Sequence, residues 1–231
     1  RGYPELTAIL DLPSAVDDPY ADMVALCCRA ITGSDTAELQ RHFNTRLTSS
    51  DLVERRAALQ AATSFPELAD LHSVLENLWH SESAIRRLAL DVARNGAKQV
   101  LISEVIMNLG DAKTFGAAKA ALASFNPVVV QNELESEAYF AMANADLVHG
   151  IFRYLGSTRS AESLSILLQR MPVGDPRLFA TASSAVASLI QAEGRSEAHR
   201  AAIEAKIEEA AGLVFKALKL AESKNKFAGE I

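Results

Sequence analysis

Histidine, cysteine and carboxylate groups at fixed spacing are the first features to test for metal chemistry. The chain has five histidines, which are His42, His72, His80, His149 and His199. No two of them stand four residues apart on one helix, and none belongs to the His-Glu-x-x-His pattern of zinc enzymes. His72 and His80 lie eight residues apart, a spacing more typical of solvated side chains than of ligands. The sequence therefore predicts no metal site.

Other catalytic patterns are also missing. The chain has no phosphate-binding G-x-x-x-x-G-K-[ST] loop, no G-x-G-x-x-G and no G-x-S-x-G. Its carboxylates fall in turns and on polar stripes, and sequence alone shows no closed pocket that would raise the pKa of one of them. We expect no catalytic residue, no cofactor and no enzymatic activity.

Two arginine pairs, Arg55-Arg56 and Arg86-Arg87, recur 31 residues apart. They fit either an anion site or a ladder in which an arginine of one repeat bridges the acidic turn of the next. The guanidinium suits both roles through its rigid donor fork. We favour the ladder, with acidic partners such as Asp51, Glu82 and Asp111.

Composition sets the class of protein. The 231 residues are 49% hydrophobic, and 23 Lys+Arg face 29 Asp+Glu, for a net charge of -6. This balance argues against a nucleic-acid backbone as the main ligand. Aromatic residues make up only 6%, and alanine-rich runs favour helices over strands. No apolar run reaches the roughly 20 residues that a membrane-spanning helix needs.

The two cysteines, Cys27 and Cys28, are adjacent in the sequence. Neighbouring residues of a helix point in different directions, so we expect no disulfide between them. With no signal-peptide pattern, they favour a reducing, cytoplasmic location. Because the chain starts at Arg1, we expect a fragment or a processed protein.

Proline, glycine and polar caps predict helices one after another, and no strand. The expected segments are 4–10, 17–32, 35–48, 51–63, 67–79, 83–95, 97–109, 112–124, 127–135, 145–156, 160–171, 176–192 and 196–222. The expected N-caps are Asp35, Asp51, Ser81, Ser160 and Ser196.

An internal repeat organises these helices. SSDLVERRAALQAA recurs as SESAIRRLALDVA, and weaker copies follow. The anchors lie 31, 30, 33 and 30 residues apart, at Glu54, Ile85, Phe115, Val148 and Leu178. A helix pair of this size needs stacked neighbours to bury its apolar face. We therefore predict an all-α fold, a right-handed α-α superhelix that forms a single solenoid domain over 1–231. Residues 1–49 are its N-terminal cap, 50–195 its repeats, and 196–231 a long capping helix and tail.

The Val/Ile-Arg pair followed by Ala/Leu positions, a turn and a second helix resembles HEAT repeats over about residues 50–192. Residues 117–223 are also similar to the HEAT segment that bacteria attach to nucleotide-transporter-like membrane proteins. The similarity rests on AALASFNPVVVQNEL, GIFRYLGSTRSAESLSILLQRM and DPRLFATASSAVASL, although Phe152 stands where such segments often have proline. It implies a cytoplasmic regulatory or coupling segment tethered to a membrane domain.

These resemblances favour a non-enzymatic scaffold that offers a concave helical surface to a protein or an adjoining domain. Trp79 is the best interface anchor. Expected surface positions on second helices are His72, Glu76, Trp79, Gln99, Gln131, Glu135 and Glu162. The alternatives are the transporter segment and an anion- or nucleic-acid-binding HEAT-like enzyme such as a DNA glycosylase. Such an enzyme would need a basic surface and aromatic side chains on which nucleic-acid bases can stack. The oligomeric state stays open.

Overall fold

A computed structural model describes residues 18–32, 36–142, 144–158, 160–172 and 174–193, with single positions at 201, 204, 205, 208 and 212. It is all-helical over these residues. The α-helices are α1 (Pro19–Thr32), α2 (Thr36–Leu47), α3 (Leu52–Ser64), α4 (Leu71–Leu78), α5 (Ser83–Asn95), α6 (Ile102–Met107), α7 (Phe115–Ser124), α8 (Pro127–Leu134), α9 (Ala138–Ala141), α10 (Ala145–Leu155), α11 (Ala161–Arg170) and α12 (Pro176–Glu193). Two 3-10 turns, Gln99–Leu101 and Asn108–Gly110, flank α6.

The chain divides into two compact units, Arg1–Val130 and Gln131–Ile231. The expectation of one solenoid domain over the whole chain stays a prediction.

The first unit is built from stacked helix pairs. Helices α1, α3, α5 and α7 pack side by side as one layer, and α4 contacts α2 on one side and α6 on the other to form a second layer. Across the layers each second helix packs against the first helix that follows it, α2 against α3, α4 against α5 and α6 against α7, so neighbouring helices cover one another's apolar faces. We call these the first-helix layer and the second-helix layer.

The core of the first unit lies between these layers. Leu59 on α3, Ile85 and Leu90 on α5 and Ile106 on α6 are fully buried. Small residues such as Ala58 and Ala89 fill the first-helix layer and let its helices approach closely. The alanine-rich repeat is thus a packing requirement of the layer.

In the second unit, α10 packs against α12, and α11 contacts both. The short helix α9 was not expected from the sequence. It is held by contacts between distant segments: the Phe140 ring lies 6.0 Å from that of Phe152. The guanidinium of Arg170 lies 5.5 Å from the centre of the Phe140 ring.

Several helix ends differ from expectation. The segment expected at 67–79 begins only at Leu71, because residues 66–69 form a turn and the Asp70 carboxylate caps the Ser73 N–H at 2.7 Å. The segment 97–109 is interrupted by the two 3-10 turns. Helix α7 starts at Phe115, three residues later than expected.

The caps are confirmed in part. Asp51 accepts from the Val53 N–H at 2.8 Å and Ser160 from the Ser163 N–H at 3.2 Å. The expectation for Ser81 was wrong: Glu82 is the N-cap residue of α5 and makes no side-chain cap. Asp35, Ser196 and the expected helix at 4–10 lie outside the described residues. Of the segment 196–222, residues 201, 204, 205, 208 and 212 are described; they are helical and exposed.

The core packing gives a direct stability test. Replacing Leu90 with Ala removes a fully buried side chain between stacked helices, so we expect the free energy of unfolding to fall by about 2–5 kcal/mol. Urea unfolding followed by circular dichroism measures it. Val53→Ala is the control, because Val53 is 63% exposed and its truncation should change stability by less than about 0.5 kcal/mol. Equal losses for both variants would contradict the layer assignment.

Candidate functional site

Buried asparagines join the helices of the second-helix layer. Asn77 of α4 donates through Nδ2 to the backbone carbonyl of Leu47, the last residue of α2, at 2.9 Å. Asn108, directly after α6, donates in the same way to the carbonyl of Leu78, the last residue of α4, at 3.2 Å. Both side chains are buried. Each thus satisfies a helix-end carbonyl that has no partner within its own helix.

The contacts of Asn77 and Asn108 were not predicted from the sequence. Their signal is present: Asn-Leu recurs at 77–78 and 108–109, 31 residues apart, as the arginine pairs do. Asparagine is a poor helix former, so two of them at one repeat position near helix ends are worth testing as buried donors.

Arg55 extends this network into the first-helix layer. Its Nε donates to Oδ1 of Asn77 at 2.7 Å, and its Nη2 lies 2.7 Å from Glu76 Oε1. Arg55 is only 6% exposed, so its charge is buried and needs these two acceptors. The contact ties α3 to the asparagine that joins α4 with α2.

The arginine ladder predicted from sequence is confirmed at two turns. Arg56 of α3 pairs with Glu82, which precedes α5, at 2.6 Å. Arg86 of α5 pairs with Asp111, which precedes α7. A further pair, Arg46 with Glu54, follows the same edge. Asp51 does not take part, because its carboxylate caps α3.

The solvent side of α4 carries three of the predicted site residues. His72, Glu76 and Trp79 follow one another at steps of four and three, and all are exposed. Trp79 is 57% exposed although it is a large apolar side chain. Leu71, 41% exposed, flanks them. We call His72, Glu76 and Trp79 with Leu71 the α4 face.

The other predicted residues are distributed over both units. Gln99 is exposed in the 3-10 turn before α6, so it belongs to the first unit but not to an α-helix. In the second unit, Gln131 is half-buried on α8, and Glu135 is exposed just after it. Glu162 is exposed on α11. Its own backbone N–H and the Ser160 hydroxyl hold the pKa of its carboxyl below the ordinary value.

A polar ladder also connects α10 with α12 in the second unit. Arg177 pairs with Asp146 at 3.1 Å, and His149 Nδ1 lies 2.9 Å from the Thr181 hydroxyl oxygen. That hydroxyl donates to the Arg177 carbonyl at 3.0 Å, so His149 Nδ1–H is the donor toward Thr181. Burial, Arg177 and Arg153 lower the pKa of His149.

The remaining reactive groups show no assembled chemistry. Burial, with Cys28 and Glu67 adding to it, raises the pKa of Cys27 to about 12, so this thiol stays protonated and unreactive. Within the described ranges no three His, Cys, Asp or Glu side chains come together as metal ligands. The same part of the chain contains no helix with the length and apolarity to cross a bilayer.

Comparison of the chain with protein-family models, with curated proteins and with solved structures gave no match.

Asn77→Ala tests the asparagine contact. It leaves the Leu47 carbonyl and Arg55 Nε without their partner, and each unsatisfied buried group costs about 1–3 kcal/mol, so we expect a large loss of stability in urea unfolding. Asn132→Ala, at an exposed position on α8, serves as the control and should be nearly neutral. A loss for Asn77→Ala no greater than for the control would show that the contact contributes nothing.

The lowered pKa of His149 predicts a pH effect of definite sign. Below about pH 6.5 the unfolded chain takes up a proton that the folded protein resists, so stability falls as pH falls from 6.5 toward the lower folded-state pKa. The difference in unfolding free energy between wild type and His149→Gln should therefore shrink as pH drops from 7.5 to 5.5. The exposed His72→Gln variant is the control for replacing a histidine by glutamine. An increasing difference for His149→Gln would contradict the sign.

Proposed function

We propose that the protein is a non-enzymatic, HEAT-like helical-repeat scaffold that binds a partner protein or an adjoining domain along its second helices. The cytoplasmic location belongs to the same proposal. The partner binds at the α4 face, with Trp79 as its anchor.

Two features of the first unit support the HEAT-like assignment. Its helix pairs stack in two layers, and equivalent residues recur about 31 positions apart at the same contacts. Asn77 and Asn108 are such a pair, since each donates to the last carbonyl of the preceding second helix. Repeats of this kind present a continuous surface of adjacent helices, which is suited to binding an extended partner.

The exposure of Trp79 is the observation that carries the binding proposal. Tryptophan buries more apolar area than any other side chain, and partly exposed tryptophans are enriched at protein interfaces. On the α4 face it lies at the end of a helix fixed in place by the buried Asn77, so the anchor is held on a rigid element.

The charged groups on the α4 face and on the neighbouring helices α3 and α5 do not favour an anionic ligand. Glu76 is paired with Arg55, and Arg56 and Arg86 are each paired with a carboxylate of the next turn. Arginines engaged in this way are poorly available for phosphate. This supports the scaffold over the anion-binding alternative.

The proposal is tested with tagged full-length chain used to capture proteins from an extract of its source cells. Proteins retained by wild type are identified, purified and titrated against the variants by calorimetry. We expect Trp79→Ala to weaken binding at least tenfold, because removing a tryptophan anchor typically costs 2 kcal/mol or more. Its unfolding free energy should stay within about 0.5 kcal/mol of wild type.

Val53→Ala is the matched control, since Val53 is exposed to a similar extent but belongs to the first-helix layer. A partner that binds wild type, Trp79→Ala and Val53→Ala equally would overturn the assignment of the α4 face. Labelled double-stranded DNA at low salt tests the alternative; binding that falls steeply with salt would favour the nucleic-acid function instead.

A further inference from the structure

The turn that follows Trp79 contains a hydrogen bond that depends on the charge of a histidine. The backbone N–H of Glu82 donates to Nδ1 of His80 at 3.0 Å. An N–H can donate only to a nitrogen that carries a lone pair, so Nδ1 is unprotonated and the ring hydrogen is on Nε2. The imidazole is therefore neutral in this arrangement.

We propose that residues 79–82 form a pH-sensitive switch, in which protonation of His80 breaks its hydrogen bond with Glu82 and releases the turn beside Trp79. In the imidazolium both ring nitrogens are donors. Nδ1–H would then point at the Glu82 N–H, and the two donors repel each other. Histidine is the side chain whose charge ordinarily changes between pH 5 and 8.

The hydrogen bond between His80 and Glu82 lies at the junction of α4 and α5, so its loss affects the structure around it. Glu82 is the N-cap residue of α5, and its own backbone N–H is held by the imidazole. The carbonyl of His80 accepts from Arg86 Nη1 at 2.6 Å, and the N–H of His80 donates to the Asn77 carbonyl at 3.3 Å. The imidazole thus closes a turn that links α4 with α5.

Charged groups from each neighbouring element lie around the turn that contains His80. Arg86 of α5 reaches the His80 carbonyl and brings Asp111 from the turn before α7. Glu82 is paired with Arg56 of α3. On α4, Glu76 is paired with Arg55. Each of these three carboxylates is paired with an arginine.

The consequence for binding rests on the proposed function. If Trp79 anchors a partner, acidification loosens the residue that follows it and weakens docking. The switch itself is a property of the free protein, and it stands or falls without any partner.

The chain allows a matched pair of variants. In His80→Asn the carboxamide oxygen stands at the same bond distance from the backbone as Nδ1 and accepts the Glu82 N–H at every pH. In His80→Ala no acceptor remains at any pH. The two variants therefore represent the neutral and the protonated states of the turn.

The test is the hydrogen-exchange protection factor of the Glu82 amide, measured by NMR on the free full-length chain between pH 8 and 5, with the Trp79 indole N–H signal as a second readout. Trp79 is the chain's single tryptophan, so its signal is unambiguous. In wild type we expect protection of Glu82 to fall about fivefold on acidification, as loss of one hydrogen bond implies. The Trp79 signal should move with the same midpoint.

His80→Asn should keep the protection constant, and His80→Ala should show the low value throughout. The Leu90 amide, in the interior of α5, must stay protected, which separates the local change from global unfolding. Protection of Glu82 that does not change in wild type, or that changes equally in His80→Asn, would overturn the proposal. Neither result bears on whether Trp79 anchors a partner, which the binding experiment decides separately.

Discussion

The register of the first unit depends on the hydrogen bond between a buried asparagine and the last carbonyl of the preceding second helix. A helix end leaves carbonyls without partners, and burying them unpaired is costly. Asn77 and Asn108 supply the missing donor from one helix farther along. Each side chain also donates to the carbonyl four residues earlier, that of Ser73 or Glu104, so the amide is fixed on its own helix and holds the neighbouring helix at one relative position. The arginine pairs at the turns add further contacts along one edge, but they are more exposed and contribute less individually.

Much of the fold could be predicted from the sequence. The spacing of alanine and leucine, the prolines at 127 and 176 and the cap at Asp51 place most helices within a few residues. The arginine ladder could be predicted as well, because an acidic turn residue follows each arginine pair by about 25 positions. Such features are local or strictly periodic, and a single chain displays them without knowledge of its contacts.

The rest depends on contacts that no local pattern encodes. The short helix α9 is held by contacts of Phe140 with Phe152 and Arg170. The 3-10 turns that interrupt the expected helix 97–109 have no signal in the periodic pattern. Asn77 was overlooked because a polar residue near a helix end normally indicates the surface, whereas here its partners come from α2 and α3. Of the predicted surface residues, those of α4 share one face because their spacing matches the helix. Glu135 and Glu162 lie in the other unit, and a repeat pattern alone does not show that the chain divides into two units.

The second unit connects its helices differently. Between α10 and α12 the contacts are Asp146 with Arg177 and His149 with Thr181, on the first helices of the pairs. The end of α10 also approaches α12 closely at Gly156, where an added Cβ would lie 2.7 Å from the Cβ of Ala185. Any larger residue at 156 would force these two segments apart.

The asparagine contact also bears on how such a chain grows. Donor and acceptor are adjacent in sequence at Asn77 and Leu78, yet they bond to different neighbours: Asn77 donates to the Leu47 carbonyl, and the Leu78 carbonyl accepts from Asn108. A gene duplication of one 31-residue block copies both halves of the joint together. An inserted block would then carry both a donor for the helix before it and an acceptor for the helix after it. A block cut between the two residues would separate this donor from this acceptor.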